Sequence, residues 1–227
     1  MSDDLPQLRA DPALVEAWLR GRSLARGLPQ PEPDSGGLRL EVGLPQERRR
    51  YVFARTTQGL RQLAQTIVEP LVFLKLCSPV EVLRALAPTR WALQPVGYMM
   101  TRAASIRMDR PRLPGGYRLE LIADGPAVGL RILTDAGELA ASGRAGEYDG
   151  ALVYDQIVTD PAHRRRGLGR AVMAALDAAR EGGTRTQVLV ATDEGRALYS
   201  TLGFEVHAPF ASAVIPASGS EAIARQM

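Results

Sequence analysis

The residues of this sequence that most clearly suggest chemistry form one basic, glycine-containing stretch, Arg164-Arg165-Arg166-Gly167-Leu168-Gly169-Arg170. It precedes a segment with the apolar spacing of a helix, and the first turn of a helix leaves backbone N–H groups unpaired at the positive end of its dipole. Glycine at positions 167 and 169 keeps side chains away from those amides, and the arginines add charge-assisted hydrogen bonds. The stretch therefore predicts a binding site for an anion with several oxygens, such as a pyrophosphate.

Taken alone, the same stretch is equally compatible with a solvated basic turn at the start of a helix, because a short glycine motif is weak evidence. A Walker-type phosphate loop is excluded, because no Gly-Lys-Ser/Thr follows. A dinucleotide-binding fold is disfavoured, because a succession of strands precedes the stretch in place of alternating strands and helices.

The elements that must position this stretch are predicted from residue 117 onward. Four strand-like segments separated by short turns predict an antiparallel meander over 117–124, 127–137, 138–150 and 151–160. The pattern then predicts a helix over about 167–182, a strand at 186–192, a helix at 193–203 and strands at 204–209 and 211–216. The last ten residues are small and polar, and we expect them to be frayed.

The N-terminal part has a different pattern. A helix over 11–27 is capped by Asp11 with Pro12 in its first turn, and a loop rich in proline and glycine follows at 28–37. Further strands are predicted at 38–44, 48–55, 70–77 and 91–102, with helices at 57–67 and 78–87, the second capped by Ser78. Prolines and glycines at 109–116 mark the best boundary, so we predict an N-terminal α/β half at 1–108, a linker at 109–116, a second domain at 117–216 and a tail at 217–227.

Two segments of the chain echo each other. Residues 72–93 and 188–206 both show a strand, a capped helix and a strand led by an aromatic residue. The match is one of pattern more than identity, and it suggests that the N-terminal half is a diverged partial copy of the C-terminal fold.

The C-terminal half resembles the GNAT superfamily of N-acetyltransferases over about residues 117–216. The acyl-CoA-binding motif of that family is Arg or Gln, two residues, Gly, any residue, then Gly or Ala, and it fits Arg164, Gly167 and Gly169. The order of the elements is also similar, and GRALYSTLGF, residues 195–204, resembles the second motif of the family. The resemblance implies an α/β (α+β) fold with a mixed, mostly antiparallel central sheet flanked by helices, with the N-terminal α/β half packed against it.

The resemblance also implies roles for individual residues. Ile157-Val158-Thr159 matches the strand end that splays from its neighbour, where the backbone of Ile157 and Thr159 would pair with the pantetheine amides of acetyl-CoA. Tyr199 matches the general acid that protonates the departing thiolate, a task for which the pKa of a phenol is suited. Thr192 stands where the family often has an asparagine, and it could donate a hydrogen bond to the cofactor. The cofactor-binding residues implied by the first motif are Arg164, Arg165, Arg166, Gly167, Leu168, Gly169 and Arg170.

No residue stands out as the base that deprotonates the acceptor amine. Glu147, Asp155 and Asp160 all fall near the relevant strands. Asp155 is the first candidate, because it lies two residues before Ile157 on the same strand face. A water chain to a more distant carboxylate is an equal alternative.

The sequence also departs from the family. Helices normally wall the acceptor pocket between the first two strands, but residues 122–130 leave room only for a turn. We therefore expect part of the N-terminal half, residues 11–28 or 57–68, to pack on the C-terminal sheet and replace that wall. The N-terminal half lacks a Gly-x-Gly loop of its own, so we do not expect it to bind coenzyme A.

The expected function is transfer of an acetyl group from acetyl-CoA to a primary amine by direct attack in a ternary complex. The alternative is a non-catalytic acyl-CoA-binding sensor or structural protein. Nucleic-acid binding through residues 48–50 and 164–166 is disfavoured, because the net charge is only +3 and aromatic residues make up 5% of the chain.

Composition limits the other classes of function. The two histidines, His163 and His207, have no second His or Cys at ligand spacing, so no metal is expected. The one cysteine, Cys77, lies in an apolar run, as a buried structural thiol would, and fits a reducing, cytoplasmic location. No signal peptide or membrane span is apparent. We expect a monomer or a homodimer, with an acceptor amine that the sequence does not identify.

Overall fold

The computed structural model describes residues 10–103, 108–109, 112–124, 127–179 and 186–217. Within these ranges the helices are α1 Pro12–Arg26, α2 Gln58–Thr66, α3 Val80–Leu86, α4 Leu168–Ala179 and α5 Asp193–Thr201. The strands are β1 Glu32–Asp34, β2 Gly37–Leu44, β3 Glu47–Phe53, β4 Val72–Leu76, β5 Ala92–Leu93, β6 Gly97–Arg102, β7 Tyr117–Asp124, β8 Ala127–Thr134, β9 Leu139–Tyr148, β10 Ala151–Thr159, β11 Thr186–Thr192 and β12 Glu205–Val214. None of the helices described is long and apolar enough to cross a membrane.

All strands belong to one sheet with the order β1-β2-β3-β4-β12-β6-β11-β10-β9-β8-β7, and β5 also pairs with β12. Strands β7 to β10 form the predicted antiparallel meander, and β11 then pairs parallel to β10. The mixed, mostly antiparallel sheet with flanking helices is the predicted fold class.

The two predicted halves exchange strands. Strand β6, which precedes the predicted linker, lies between β11 and β12 and pairs antiparallel with both. In return, the far end of β12 pairs with β4 and β5 of the N-terminal part. The division at residues 109–116 stays a prediction, and the sheet hydrogen bonds run across it.

The predicted internal echo appears as a repeated topology. In the N-terminal half, β3 and β4 are parallel strands joined through α2, and α3 leads on to β5. In the C-terminal half, β10 and β11 are parallel strands joined through α4, and α5 leads on to β12. Both halves thus contain a strand–helix–strand–helix–strand unit of the same order.

Helix α1 covers the face of the sheet opposite α4 and α5. Its residues Val15, Trp18 and Leu19 belong to a buried cluster with side chains from β2, β3, β6, β10 and β12, while α4 and α5 pack in another cluster. The contact with the sheet is close, because a Cβ at Gly21 would lie 2.4 Å from Cγ2 of Val153. Residues 11–28 therefore pack on the C-terminal strands as expected, while Leu60 and Ala64 of α2 pack in a third cluster with β3 and β4.

Several local predictions need correction. The predicted loop at 28–37 contains β1, and the two predicted strands after residue 203 are one strand, β12. Ser78 does not cap α3: Pro79 occupies the cap position without a side-chain cap bond, and the Ser78 hydroxyl donates to the carbonyl of Pro79. The predicted helix end at residue 182, part of the linker and the last ten residues lie outside the described ranges.

Candidate functional site

A cleft opens where β10 and β11 part. The two strands pair from Ala151↔Thr186 to Val153↔Val188 and no further. Beyond that point β10 keeps its pairing with β9, with a register shift between Asp155 and Val158 and a positive φ of 53° at Gln156. The β11-facing edge of residues 155–159 therefore carries no ladder partner among the described strands, and a ligand with peptide-like amides can pair there.

The cleft has a volume of about 730 Å³. Of the predicted cofactor-binding residues it is lined by Ile157, Val158, Thr159, Arg164, Arg165, Gly167, Leu168, Gly169, Arg170 and Thr192, and also by the predicted catalytic residues Asp155 and Tyr199. The structure thus brings together all of the predicted site residues except Arg166.

The floor of the predicted anion site is the start of α4. The amide of Ala171 donates to the carbonyl of Gly167 at 3.1 Å, so the amides of residues 168–170 precede the first backbone bond of the helix and remain available. Gly167 has a φ of 80°, and a Cβ placed there would meet nothing within 4 Å. Glycine is required at this position by the backbone conformation, and the space above it is open to a ligand.

Glycine is needed at position 169 for a different reason, which is packing. A Cβ at this position would lie 3.1 Å from Cδ2 of Leu198, so the glycine allows close packing of α4 against α5. Leu168 contributes only its backbone to the cleft surface that could bind an anion, because its side chain is buried in the core.

The arginines of the motif make different contacts. Arg164, Arg165 and Arg170 line the cleft, and Arg170 also donates to the Thr201 hydroxyl at 3.0 Å. Arg166 instead donates to the Tyr117 hydroxyl at 2.9 Å, which is also 2.9 Å from Nδ1 of His163. A direct contact of the Arg166 side chain with the cofactor stays a prediction.

Tyr199 lies in α5 with its ring in the core. The ring meets that of Phe204 edge to face at 6.0 Å, and the residue is 9% exposed. None of the described residues forms a hydrogen bond with its hydroxyl, so the hydroxyl does not serve a local structural role. Burial raises the pKa of Tyr199 to about 12, and the negative charge of Asp155 acts in the same direction.

Thr192 caps α5. Its hydroxyl oxygen accepts a hydrogen bond from the amide of Gly195 at 3.2 Å. The proton of that hydroxyl can still be donated into the cleft, which Thr192 lines.

The predicted bases are already engaged. Nε and Nη2 of Arg26 donate to the two carboxylate oxygens of Asp155, and Nε of Arg22 lies 3.3 Å from Oδ1. Asp160 accepts a hydrogen bond from the amide of Ala162 and caps the short 3-10 helix Pro161–His163. Asp155 as the general base stays a prediction, but its oxygens face guanidinium donors contributed by α1.

The partners Arg22 and Arg26 were missed by sequence reasoning. Single arginines on a helix normally indicate a solvated face, and residues so far from Asp155 in the chain gave no local signal. Residues 11–28 were expected from the sequence to replace the helices that normally wall the acceptor pocket. The polar residues on the inner face of that helix were the one signal that could have identified Arg22 and Arg26.

The described residues of the N-terminal half form no comparable cradle. Strands β3 and β4 stay paired from Arg49↔Val72 to Phe53↔Leu76. The first turn of α2 is closed by Thr57, whose hydroxyl oxygen accepts from the amide of Leu60, and a Cβ at Gly59 would lie 2.1 Å from the carbonyl oxygen of Ser35. That this half does not bind coenzyme A stays a prediction.

Comparison with known proteins identifies a family match in the region that contains the cleft. Residues 128–206 match the family model of the acetyltransferase (GNAT) domain. A search of curated proteins found no significant match.

Solved structures resemble the chain over nearly its whole length. A GCN5-related N-acetyltransferase from Kribbella flavida is 16% identical, with a TM-score of 0.63 over 93% of this chain and 97% of that one. A protein assigned to the GNAT acetyltransferases from Novosphingobium aromaticivorans is 17% identical, with a TM-score of 0.56 over 92% of this chain and 99% of the other. At these identities the likeness shows the fold, and it includes the N-terminal half.

Proposed function

We propose that this chain, in which residues 128–206 match the family model of the acetyltransferase (GNAT) domain, transfers an acetyl group from acetyl-CoA to a primary amine. The observation that carries the proposal is the shape of the cleft. The edge of β10 at residues 155–159, which pairs with no strand described beyond Val188, leads to a helix start whose amides have no backbone partner among the described residues and whose first glycine leaves open space.

The residues present fit acetyl-CoA as a co-substrate. The free edge of β10 offers alternating N–H and C=O groups to the two amides of pantetheine. The amides of residues 168–170 and the side chains of Arg164, Arg165 and Arg170 supply donors for the pyrophosphate. A bound cofactor of this orientation would direct its thioester toward the inner end of the cleft, where Tyr199 and Asp155 lie.

The reaction is an acyl transfer. The nitrogen of the neutral amine forms a bond to the carbonyl carbon of the thioester and the carbon–sulfur bond breaks. The nitrogen gives up a proton, for which Asp155 or a water chain to a more distant carboxylate is the proposed acceptor, and the sulfur takes a proton. Tyr199 is the proposed donor of the proton that the sulfur takes, because the residue lines the cleft and none of the described residues forms a hydrogen bond with its hydroxyl. The backbone N–H groups freed where β10 and β11 separate could polarise the carbonyl oxygen.

The high pKa of Tyr199 is compatible with this role. A phenol with a pKa of about 12 stays protonated at neutral pH and so carries the proton that is needed. Burial raises the pKa of a thiol as well, as the pKa of about 12 for the buried Cys77 illustrates. The leaving sulfur and the phenol share the same enclosed cleft, so their proton affinities move in the same direction.

The proposal is tested by two measurements on the wild-type protein. Calorimetry should detect binding of acetyl-CoA, and an assay for free thiol with a panel of primary amines should detect turnover. Binding without turnover of any amine would favour the alternative of an acyl-CoA-binding sensor. Lack of binding by well-folded protein would refute both.

A further inference from the structure

Six charged side chains meet on the face of the sheet that α1 covers. Helix α1 supplies two of them, and β3, β4 and β10 supply the others. We call this set the interface cluster; it consists of Arg22, Arg26, Glu47, Arg50, Lys75 and Asp155.

The strand pattern places these side chains on one face. Val153 and Val52 belong to the core under α1, so Asp155 and Arg50, two residues away on the same strands, face the same side. Leu74 and Leu76 face the opposite core, so Lys75 between them also points to the α1 side.

The interface cluster has more positive than negative charge. Its four cations outnumber its two carboxylates, and both carboxylates are already paired. Arg50 holds Glu47, with Nε at 2.7 Å from Oε1, and Arg22 and Arg26 hold Asp155. Lys75 has no ion pair among the described residues, and its ammonium donates to the hydroxyl oxygen of Ser212 at 2.9 Å.

Two buried guanidinium nitrogens of the interface cluster also lack a hydrogen-bond acceptor. Nη1 of Arg22 and Nη1 of Arg50 have no hydrogen-bond partner in the described part of the chain. Arg50 is only 1% exposed, so it cannot turn its free nitrogen to bulk water. A buried N–H group without an acceptor is costly, and an anionic oxygen is the acceptor that a guanidinium binds best.

The charges of the interface cluster act on one another. Burial lowers the pKa of Lys75 to about 8, while Glu47 raises it and Arg22 and Arg26 lower it further. Burial also raises the pKa of Glu47, against the influence of Lys75, Arg22 and Arg26. The side chains from the two halves of the chain therefore form one electrostatic unit.

The interface cluster adjoins the inner end of the cleft. Asp155 belongs to the cluster and also lines the cleft, and its charge reaches Tyr199 on the other side of the sheet. Arg22 pairs with Asp155, and its charge acts on Lys75, so a molecule whose amine reaches Asp155 would have its remaining groups directed toward the cations of the interface cluster.

We propose that the acceptor is an amino acid or a similar compound with a carboxylate near its amine, and that Arg22, Arg50 and Lys75 bind this carboxylate. This inference rests on the proposed acetyl transfer and names the acceptor class for the same site. A carboxylate would pair with the excess cations and give the two orphaned guanidinium nitrogens an acceptor.

The test compares amines that differ only in the carboxylate, such as phenylalanine and phenethylamine, over several side chains. For at least one pair, we expect kcat/KM of the amino acid to exceed that of the matched amine by about 10-fold or more, since one charge-assisted hydrogen bond contributes about 1.5–3 kcal/mol. In Lys75→Met, the ratio of kcat/KM for the amino acid to kcat/KM for the matched amine should fall toward one through a higher KM for the amino acid. Lys75→Arg should retain most of that ratio. Arg61→Met, which removes an exposed cation from α2, is the matched control and should leave the ratio unchanged.

The outcomes separate the two proposals. If simple amines are acetylated as well as the amino acids, or if Lys75→Met keeps the wild-type ratio, the carboxylate site is refuted while acetyl transfer stands. If no amine is acetylated, acetyl transfer fails, and the site is then tested without turnover. Lys75 is the only lysine of the chain, so protection of this one side chain from reductive methylation by an N-acetyl amino acid, read by mass spectrometry, would support the site and its absence would overturn it.

Discussion

Arg26 in α1 donates to both carboxylate oxygens of Asp155 in β10, 129 residues further along the chain. This contact joins the N-terminal helix to the strand at the point where the sheet opens. The end of the cleft at Asp155 is therefore built from both halves of the sequence, and the stability of the fold and the shape of the cleft depend on the same ion pair.

We expect Asp155→Asn to lower the free energy of unfolding by roughly 3 kcal/mol, because it leaves two largely buried guanidinium groups without their anion. Urea denaturation monitored by fluorescence measures the change. Glu41→Gln is the matched control, since it removes a carboxylate that pairs with Arg49 but is 50% exposed, and it should change the free energy by about 1 kcal/mol or less. Equal effects of the two substitutions would show that Asp155 does not anchor α1.

Gly167→Ala should weaken acetyl-CoA binding by about 10-fold or more. An alanine at a φ of 80° is strained by about 1–2 kcal/mol, and relief of that strain would move the amides of residues 168–170. Gly150→Ala is the matched control, because Gly150 has a φ of 72° with equally open space but lies in the turn between β9 and β10. Calorimetry with acetyl-CoA compares the two, and equal affinity in both variants would contradict the anion cradle at α4.

Tyr199→Phe should lower kcat by about 100-fold or more with little change in acetyl-CoA affinity, because it removes the proposed proton donor and keeps the ring. Steady-state kinetics and calorimetry separate the two effects. Tyr148→Phe, at a tyrosine of β9 that does not line the cleft, should leave kcat unchanged. A kcat for Tyr199→Phe within a factor of three of the wild type would remove Tyr199 from the reaction.

Lys75 should make the stability depend on pH between about 8 and 10.5. Its pKa is about 8 in the folded protein and near 10.5 when unfolded, so in this window the unfolded chain binds more protons and folding is favoured as the pH rises. The contribution amounts to about 3 kcal/mol over the window. Unfolding of the wild type and Lys75→Met should therefore be compared at pH 7 to 10.5. The wild type should gain stability relative to the variant as the pH rises, and a constant difference would mean that the ammonium is not desolvated.

Local pattern was sufficient to predict much of the C-terminal half. The alternation of the meander and the glycines before α4 depend on residues close together in sequence, and each was found in or near its expected place. The loop at 28–37 was less predictable, because Glu32–Asp34 forms a strand only by pairing with residues 37–39. The single strand β12 was also missed. It continues through Pro209, pairs with β6 as far as Phe210 and pairs with β4 from Ala211 onward, so its continuity depends on two distant partners.

By itself, the sequence determined that the chain has a helix start suited to a pyrophosphate and a GNAT-like order of elements around it, because helix dipoles, glycine conformations and strand alternation act over a few residues. Only the tertiary structure decided which groups surround the acceptor side of the cleft. The insertion of β6 between β11 and β12, the position of α1 over β10 and the meeting of Arg22 and Arg26 with Asp155 depend on pairings between distant segments. Such pairings are selected by the packing and hydrogen bonding of the whole sheet, and no short stretch of residues encodes them.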